Sequence, residues 1–256
     1  MTKREYAEAI ARELDMEIKE CEKANGVIKI GVTPKTPTGQ IAPVIYIDEA
    51  YDNDYTVEEG IDMVNAMMEN SKEQTVDMEA VTKFENIKDK VKARLYNKKT
   101  KADVYRSAEE YGYNDLIIVP YIDNIIEGGS IKITEALCAL WGVEPSEVID
   151  YAMENTSYKL TTMEELFPMP LPGGDAMHIV TNDNMAFGAI GVILAAKELE
   201  EMFPDGYIVL PSSIHECIVV EDTPDFREMG YMVREINASM VAPEEQLSDN
   251  VYTFVA

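Results

Sequence analysis

The sequence predicts an α+β protein with mixed or antiparallel sheets and packed helices. Helix-period and alternating segments follow one another irregularly, unlike a βαβ array. Neighbouring apolar runs are joined by short Pro-, Gly- and Thr-rich stretches, as in antiparallel strand pairs. The chain has 256 residues, 46% of them hydrophobic. A chain of this size buries roughly 70–75% of its unfolded surface, so a sizeable core is expected.

Thr2 and Glu5 form a capping-box pattern, and Tyr6, Ile10, Leu14, Ile18 and Cys21 follow on one helical face. This predicts a helix from Thr2 to about Lys23, ended by Asn25-Gly26. Val27–Val32 and Pro43–Ile47 read as two antiparallel strands, with turn residues between them. Thr56 and Glu59 open a second helix with Ile61, Val64 and Met68 inward. Val81, Phe84, Ile87, Val91 and Leu95 predict a third helix from Met78 to about Tyr96. Strands return at Leu116–Val119 and Ile131–Ile133 around Gly128-Gly129. Two short helices, Leu137–Trp141 and Pro145–Asn155, meet at Gly142, with Pro145 in a first turn.

Residues 168–174, Pro-Met-Pro-Leu-Pro-Gly-Gly, cannot continue a helix or an interior strand. They divide an N-terminal α+β region, 1–167, from a C-terminal one, 175–256, unless the domain is continuous. Beyond them come a strand at Met177–Thr181, a buried helix from Phe187 to Phe203, and strands at Tyr207–Leu210 and Ile214–Val220. A last helix starts at Thr223-Pro224, and a terminal strand is expected at Val251–Val255.

The net charge is −26. Disorder is excluded by the hydrophobic content. No window approaches a membrane span, and the charged start lacks an apolar signal core, so the protein reads as cytoplasmic. Three widely spaced cysteines, Cys21, Cys138 and Cys217, argue against a disulfide framework. Phosphates are repelled, so neither direct nucleic-acid binding nor an anionic membrane is expected.

Charge is segregated along the chain. Residues 83–106 carry nine basic against three acidic residues, whereas from Glu198 onward thirteen acids face only Arg227 and Arg234. This pattern suits a protein partner or a homo-oligomer formed through charge-segregated surfaces, or else a solvated helix face. Spread evenly, −26 gives one charge per about 430 Å² of expected surface, about fourfold more dilute than duplex DNA. An acidic nucleic-acid mimic therefore needs its acids clustered.

Chemistry concentrates at Pro211-Ser212-Ser213-Ile214-His215-Glu216-Cys217, which holds one of only two histidines. In an extended segment Ser213, His215 and Cys217 share a face, but neighbours two apart lie roughly 7 Å apart. Only a bend at Ser213 brings it to hydrogen-bonding distance of His215 for nucleophilic catalysis. His215 and Cys217 could share a metal with His178 and with Cys138 or a carboxylate, although no HExxH, paired CxxC or EF-hand spacing accompanies them. The alternative is a structural, hydrogen-bonded His–Glu corner. Glu216, if turned inward, must be paired or protonated, with Ser212 or a backbone amide as the expected partner, and is otherwise an ordinary edge-strand charge. The acidic run Asp48–Tyr55 could hold a hard cation but lacks an EF-hand's spacing and glycine. No P-loop, GxGxxG, GxSxG or kinase signature is present, and no cofactor is expected.

Three stretches, Tyr207-Ile208-Val209-Leu210-Pro211-Ser212-Ser213-Ile214-His215-Glu216, Met232–Asn237 and Val241-Ala242-Pro243-Glu244-Glu245-Gln246-Leu247-Ser248-Asp249-Asn250-Val251-Tyr252, carry a resemblance. With Thr2–Glu5, Ile41–Tyr46 and Leu140–Val143, they make the chain resemble an uncharacterised domain-of-unknown-function family from gut-dwelling, low-GC Gram-positive bacteria. The resemblance spans nearly the whole chain. It implies a bacterial, intracellular protein of mixed α and β structure and carries no activity with it. The sequence reading is a protein that acts by binding or regulation through the loops 211–217 and 241–250. The alternative is a hydrolase or metal-dependent enzyme using His215 and Glu216, with Ser213 or His178.

Overall fold

A computed structural model describes residues 1–35, 43–71, 81–125, 129–166, 176–222 and 226–255. It is an α+β protein whose described strands form three antiparallel sheets. The chain divides into two compact units, Met1–Asp77 and Met78–Ala256.

In the first unit, helix α1 spans Lys3–Glu13, and the expected capping box is formed in both directions. Helix α1 is shorter than its periodicity suggests. Leu14 ends it, Asp15 adopts a left-handed φ of 53°, and Met16–Glu22 becomes strand β1. Ile18 and Cys21 thus belong to a strand. Their register against β2 (Ile28–Pro34) decides this, with Ile18 opposite Val32. Strand β3, Ile45–Tyr46, completes the sheet, and residues 36–42 lie outside the described ones. Helix α3, Val57–Ser71, follows a short α2 (Asp48–Asp52) and turns Val64 into a core with Tyr6, Ile10 and Ile47.

The second unit begins with a correction. The helix expected over 78–96 is confined to a short turn, α4 (Phe84–Ile87), and Val91–Asn97 is strand β4. Both faces of β4 are buried, so no polar face marks it as a strand, and its apolar residues also fit a helical period. It pairs along its length with β6, Leu116–Asp123. Strands β5 (Arg106–Ser107) and β7 (Ser130–Lys132) also pair with β6. The basic run is therefore no solvated helix face. Lys88 meets Glu85, Lys92 donates to the Asn155 carbonyl, Arg94 meets Asp123 and Arg106 meets Asp150.

Helices α5 (Glu135–Trp141) and α6 (Pro145–Asn155) meet where expected. Gly142 closes α5 at φ 67°, a left-handed conformation that costs glycine little. Residues 168–174 lie outside the described ones, but the strands flanking them, β8 (Lys159–Thr162) and β9 (His178–Thr181), pair with each other. Helix α7, Met163–Leu166, follows β8.

The expected buried helix begins at Phe187 as a 3-10 turn, Gly188–Ile190. It continues as α8 (Gly191–Leu194) and, after a break at Ala195, as α9 (Ala196–Met202). Strands β10 (Tyr207–Leu210), β11 (Cys217–Glu221) and β12 (Tyr252–Phe254) complete a sheet of order β12-β10-β11-β9-β8. Helix α10, Phe226–Met240, packs Val233 on Ile208 and Leu210.

Among the described residues no helix is long and apolar enough to cross a membrane.

Candidate functional site

Sheet topology brings three loops to one end of the five-stranded sheet. Strands β10 and β11 are antiparallel neighbours, and Pro211–Glu216 joins them. Strand β9 runs against β11 with Val180 opposite Cys217, so the segment leaving β9 emerges beside that connection. Strand β12 pairs Tyr252 with Val209, which places the chain entering β12 at the same end.

The strand expected from Ile214 starts only at Cys217. Pro211–Glu216 bends instead, because its amides find partners off the sheet. Ser213 N–H donates to the Glu216 carbonyl (3.1 Å) and Ile214 N–H to the Glu245 carbonyl (2.9 Å). Thr181 Oγ1 and Gly188 N–H both donate to the His215 carbonyl, each at 2.9 Å. Gly188 is needed for this approach, since a Cβ there would lie 2.6 Å from the backbone of Thr181 and Asn182.

The bend uses the candidate groups on one another. Ser212 and Ser213 hydroxyls donate to Glu216 Oε1 at 3.2 and 2.9 Å, and Ser213 Oγ accepts from His215 N–H at 3.0 Å. The expected pairing of Glu216 with Ser212 is therefore formed. The His215 ring accepts at Nδ1 from Phe187 N–H (3.1 Å), which puts its proton on Nε2, 3.5 Å from Glu245 Oε1.

His178 stands elsewhere: it is opposite Val219, two residues into β11, whereas His215 lies in the bent segment before that strand begins. The His178 ring meets Phe203 edge-on. Cys217 is buried, and burial followed by the Glu216 charge pushes its thiol up, so it remains protonated at neutral pH. Among the described residues no three His, Cys, Asp or Glu side chains are grouped to hold a metal ion. In the acidic run Asp48–Tyr55, Asp48 and Asp52 share Lys3, and buried Asp48 also accepts from Ile30 N–H at 2.9 Å.

Other site residues were not singled out by the sequence reading. Asn182 Oδ1 accepts from Asn184 and Ala186 N–H, and its Nδ2 donates to the Ala186 carbonyl (2.7 Å), a local closure that the Asn-Asp-Asn run makes available. Met185 and Phe187 hold left-handed φ values of 49° and 56°, unusual for such side chains. The Phe187 ring carries the Arg94 guanidinium 3.6 Å from its centroid and meets the His215 ring at 5.2 Å. Arg94 in turn stacks on Tyr121 and meets Asp123 at 2.5 Å.

Behind the third loop, Asp115 accepts from Tyr252 OH (2.6 Å), Ser248 Oγ (2.8 Å) and Asn250 Nδ2 (3.1 Å). These bonds account for much of the Ser248–Tyr252 motif. The three loops enclose an open cavity of about 410 Å³. Met185 and Ala186 line it from the first loop, Ser212, Ser213, His215 and Glu216 from the second, and Met240, Val241 and Glu245 from the end of α10 and the segment after it.

The fold and site define an α+β protein with a strained, hydrogen-bonded pocket at one sheet end. The chain belongs to a family of unknown function (DUF5688), whose model matches residues 2–255. No curated protein and no solved structure matches it.

Proposed function

We propose that the protein acts by binding, with the pocket between 182–187, 211–217 and 241–245 as its recognition surface. The observation that carries this reading is the internal use of the reactive groups. Ser213 donates to a carboxylate instead of a histidine, and the acceptor nitrogen of His215 is taken by Phe187 N–H. Among the described lining residues no serine is paired with His215, so the Ser–His arrangement of a hydrolase that uses His215 as its base is not formed. The pocket instead has a pre-set rim. Two left-handed side-chain-bearing residues cost on the order of 1–3 kcal/mol each, and such strain collects where a surface has to keep one shape.

The test compares retention of partners from a native lysate by the wild-type chain, by Met185→Ser at the rim and by Glu200→Gln away from it. A partner lost only with the rim variant supports binding at this pocket. Turnover of ester, phosphoester or peptide substrates that disappears in His215→Ala would overturn it in favour of the hydrolase.

A further inference from the structure

We infer that the pocket and helix α10 together receive a basic amphipathic helix of a partner protein, an inference that rests on the binding reading above. Helix α10 buries one stripe, including Val233 and Asn237. The adjoining stripe, Met232, Ile236 and Met240, is 49%, 40% and 81% exposed. These positions are four apart, so they form a continuous apolar row on the helix surface. The row does not stop at the helix end. Met240 itself lines the pocket, and so does Met185, 60% exposed. These two flexible thioethers can adapt to a ligand's side chains, and an apolar row of this spacing matches the anchors of a bound helix.

Charge selects the helix. Among the described residues, the pocket lining contains the carboxylates of Glu216 and Glu245 and no lysine or arginine. Arg234, on the same helix, stands over the Tyr231 ring at 4.9 Å. The two serine hydroxyls on Glu216 Oε1 hold that carboxylate in place for an incoming cation. A lysine or arginine at the end of an apolar helix face would therefore enter the pocket, whereas an acidic helix of the same pattern would be repelled. A second copy of the chain offers no such helix from its basic run, since β4 takes up the middle of that run and Lys88, Lys92, Arg94 and Arg106 have partners within the chain.

The probe is a fluorescently labelled leucine–lysine model helix of about 18 residues, titrated with the full chain, beside a leucine–glutamate helix of the same pattern. The lysine helix should bind saturably and the glutamate helix should not. The triple variant Met232→Ser, Ile236→Ser, Met240→Ser leaves the charge unchanged and should weaken binding about tenfold or more. Met240→Ser alone, at the most exposed of the three, should show a smaller loss in the same direction even if the triple variant unfolds. Glu216→Gln with Glu245→Gln should weaken binding, and Glu200→Gln with Glu201→Gln, an equal change of charge, should not.

Affinity that survives the serine substitutions, or that falls equally with both glutamine pairs, would overturn the proposal. So would a dimer that excludes the probe and disperses in the serine variants. If the probe fails while a lysate partner is still lost with Met185→Ser, the basic helix is wrong and the binding reading stands. Hydrolytic turnover dependent on His215 would remove that reading itself.

Discussion

Replacing Asp115 with alanine tests what holds the third loop in place. Its carboxylate stands in the turn entering β6 and ties the segment before β12 to the four-stranded sheet, through Tyr252 at 2.6 Å and Ser248 at 2.8 Å. Bonds to an ionised acceptor contribute about 1.5–3 kcal/mol each. Partial exposure of Asp115 lets water replace some of that, so the lower half of the range applies. Asn250 is exposed, and Asn97 reaches the carboxylate only at 3.4 Å while keeping the Leu247 carbonyl at 3.0 Å, so both add little. Buried Tyr252 loses the carboxylate its hydroxyl donates to, with the Ser248 hydroxyl the side-chain partner that remains.

The expected loss for Asp115→Ala is about 3–4 kcal/mol, and for Asp115→Asn, which keeps an acceptor oxygen, about 1–2 kcal/mol. At roughly 2–4 °C per kcal/mol, the alanine variant should melt about 6–16 °C lower. Urea unfolding and calorimetry of the full chain measure this. The chain divides into two compact units, so the transition of the larger one is followed. Probe binding at the pocket should weaken as well, because Glu245 lies on the released loop. A loss below about 1 kcal/mol would refute the reasoning.

Three further outcomes follow from the geometry. Burial raises the hydroxyls of Tyr113, Tyr121 and Tyr252 well above their ordinary value and that of Tyr207 to about 12. Stability should then be unaffected by these groups below about pH 10, where tyrosines of the unfolded chain titrate. Above it, stability should fall, because the native state keeps protons that the unfolded state releases. Urea midpoints from pH 8 to pH 11, read beside tyrosinate absorbance, check this, and a flat profile with all tyrosines titrating near 10 would contradict it. Gly188→Ala should cost about 1–3 kcal/mol and weaken probe binding, since the added Cβ meets the Thr181 and Asn182 backbone; an unchanged melting temperature would show that the loop yields freely. Thr2→Ala should lower the stability of the first unit by about 1 kcal/mol in urea unfolding through loss of the α1 cap, leaving the second unit's transition in place.

Much of the site was legible as a place, but little of it as a mechanism. The cluster Ser212, Ser213, His215 and Glu216 and the loop 241–250 stood out by residue type, and Ile214 N–H does join them at the Glu245 carbonyl. An extended reading of 213–220 could not show that Ser213 bends back onto Glu216. That bend depends on Thr181, Gly188 and Glu245, all distant in sequence. Phe187 looked like the start of a buried helix. Its role comes from contact with Arg94, which is ninety-three residues away and sits on a strand that periodicity assigned to a helix.

By itself the sequence determined what rests on residues three or four apart. The capping boxes at Thr2 and Thr56, the Gly142 break and the α+β class all arise from local hydrogen bonds and turn chemistry, which need no partner from elsewhere in the chain. Tertiary structure alone decided that Met16–Glu22 and Val91–Asn97 are strands, that Asp115 anchors the last loop and that three segments meet around His215. Each of these depends on pairing between distant segments, and burial on both faces of a strand erases the polar alternation from which local pattern could have shown it.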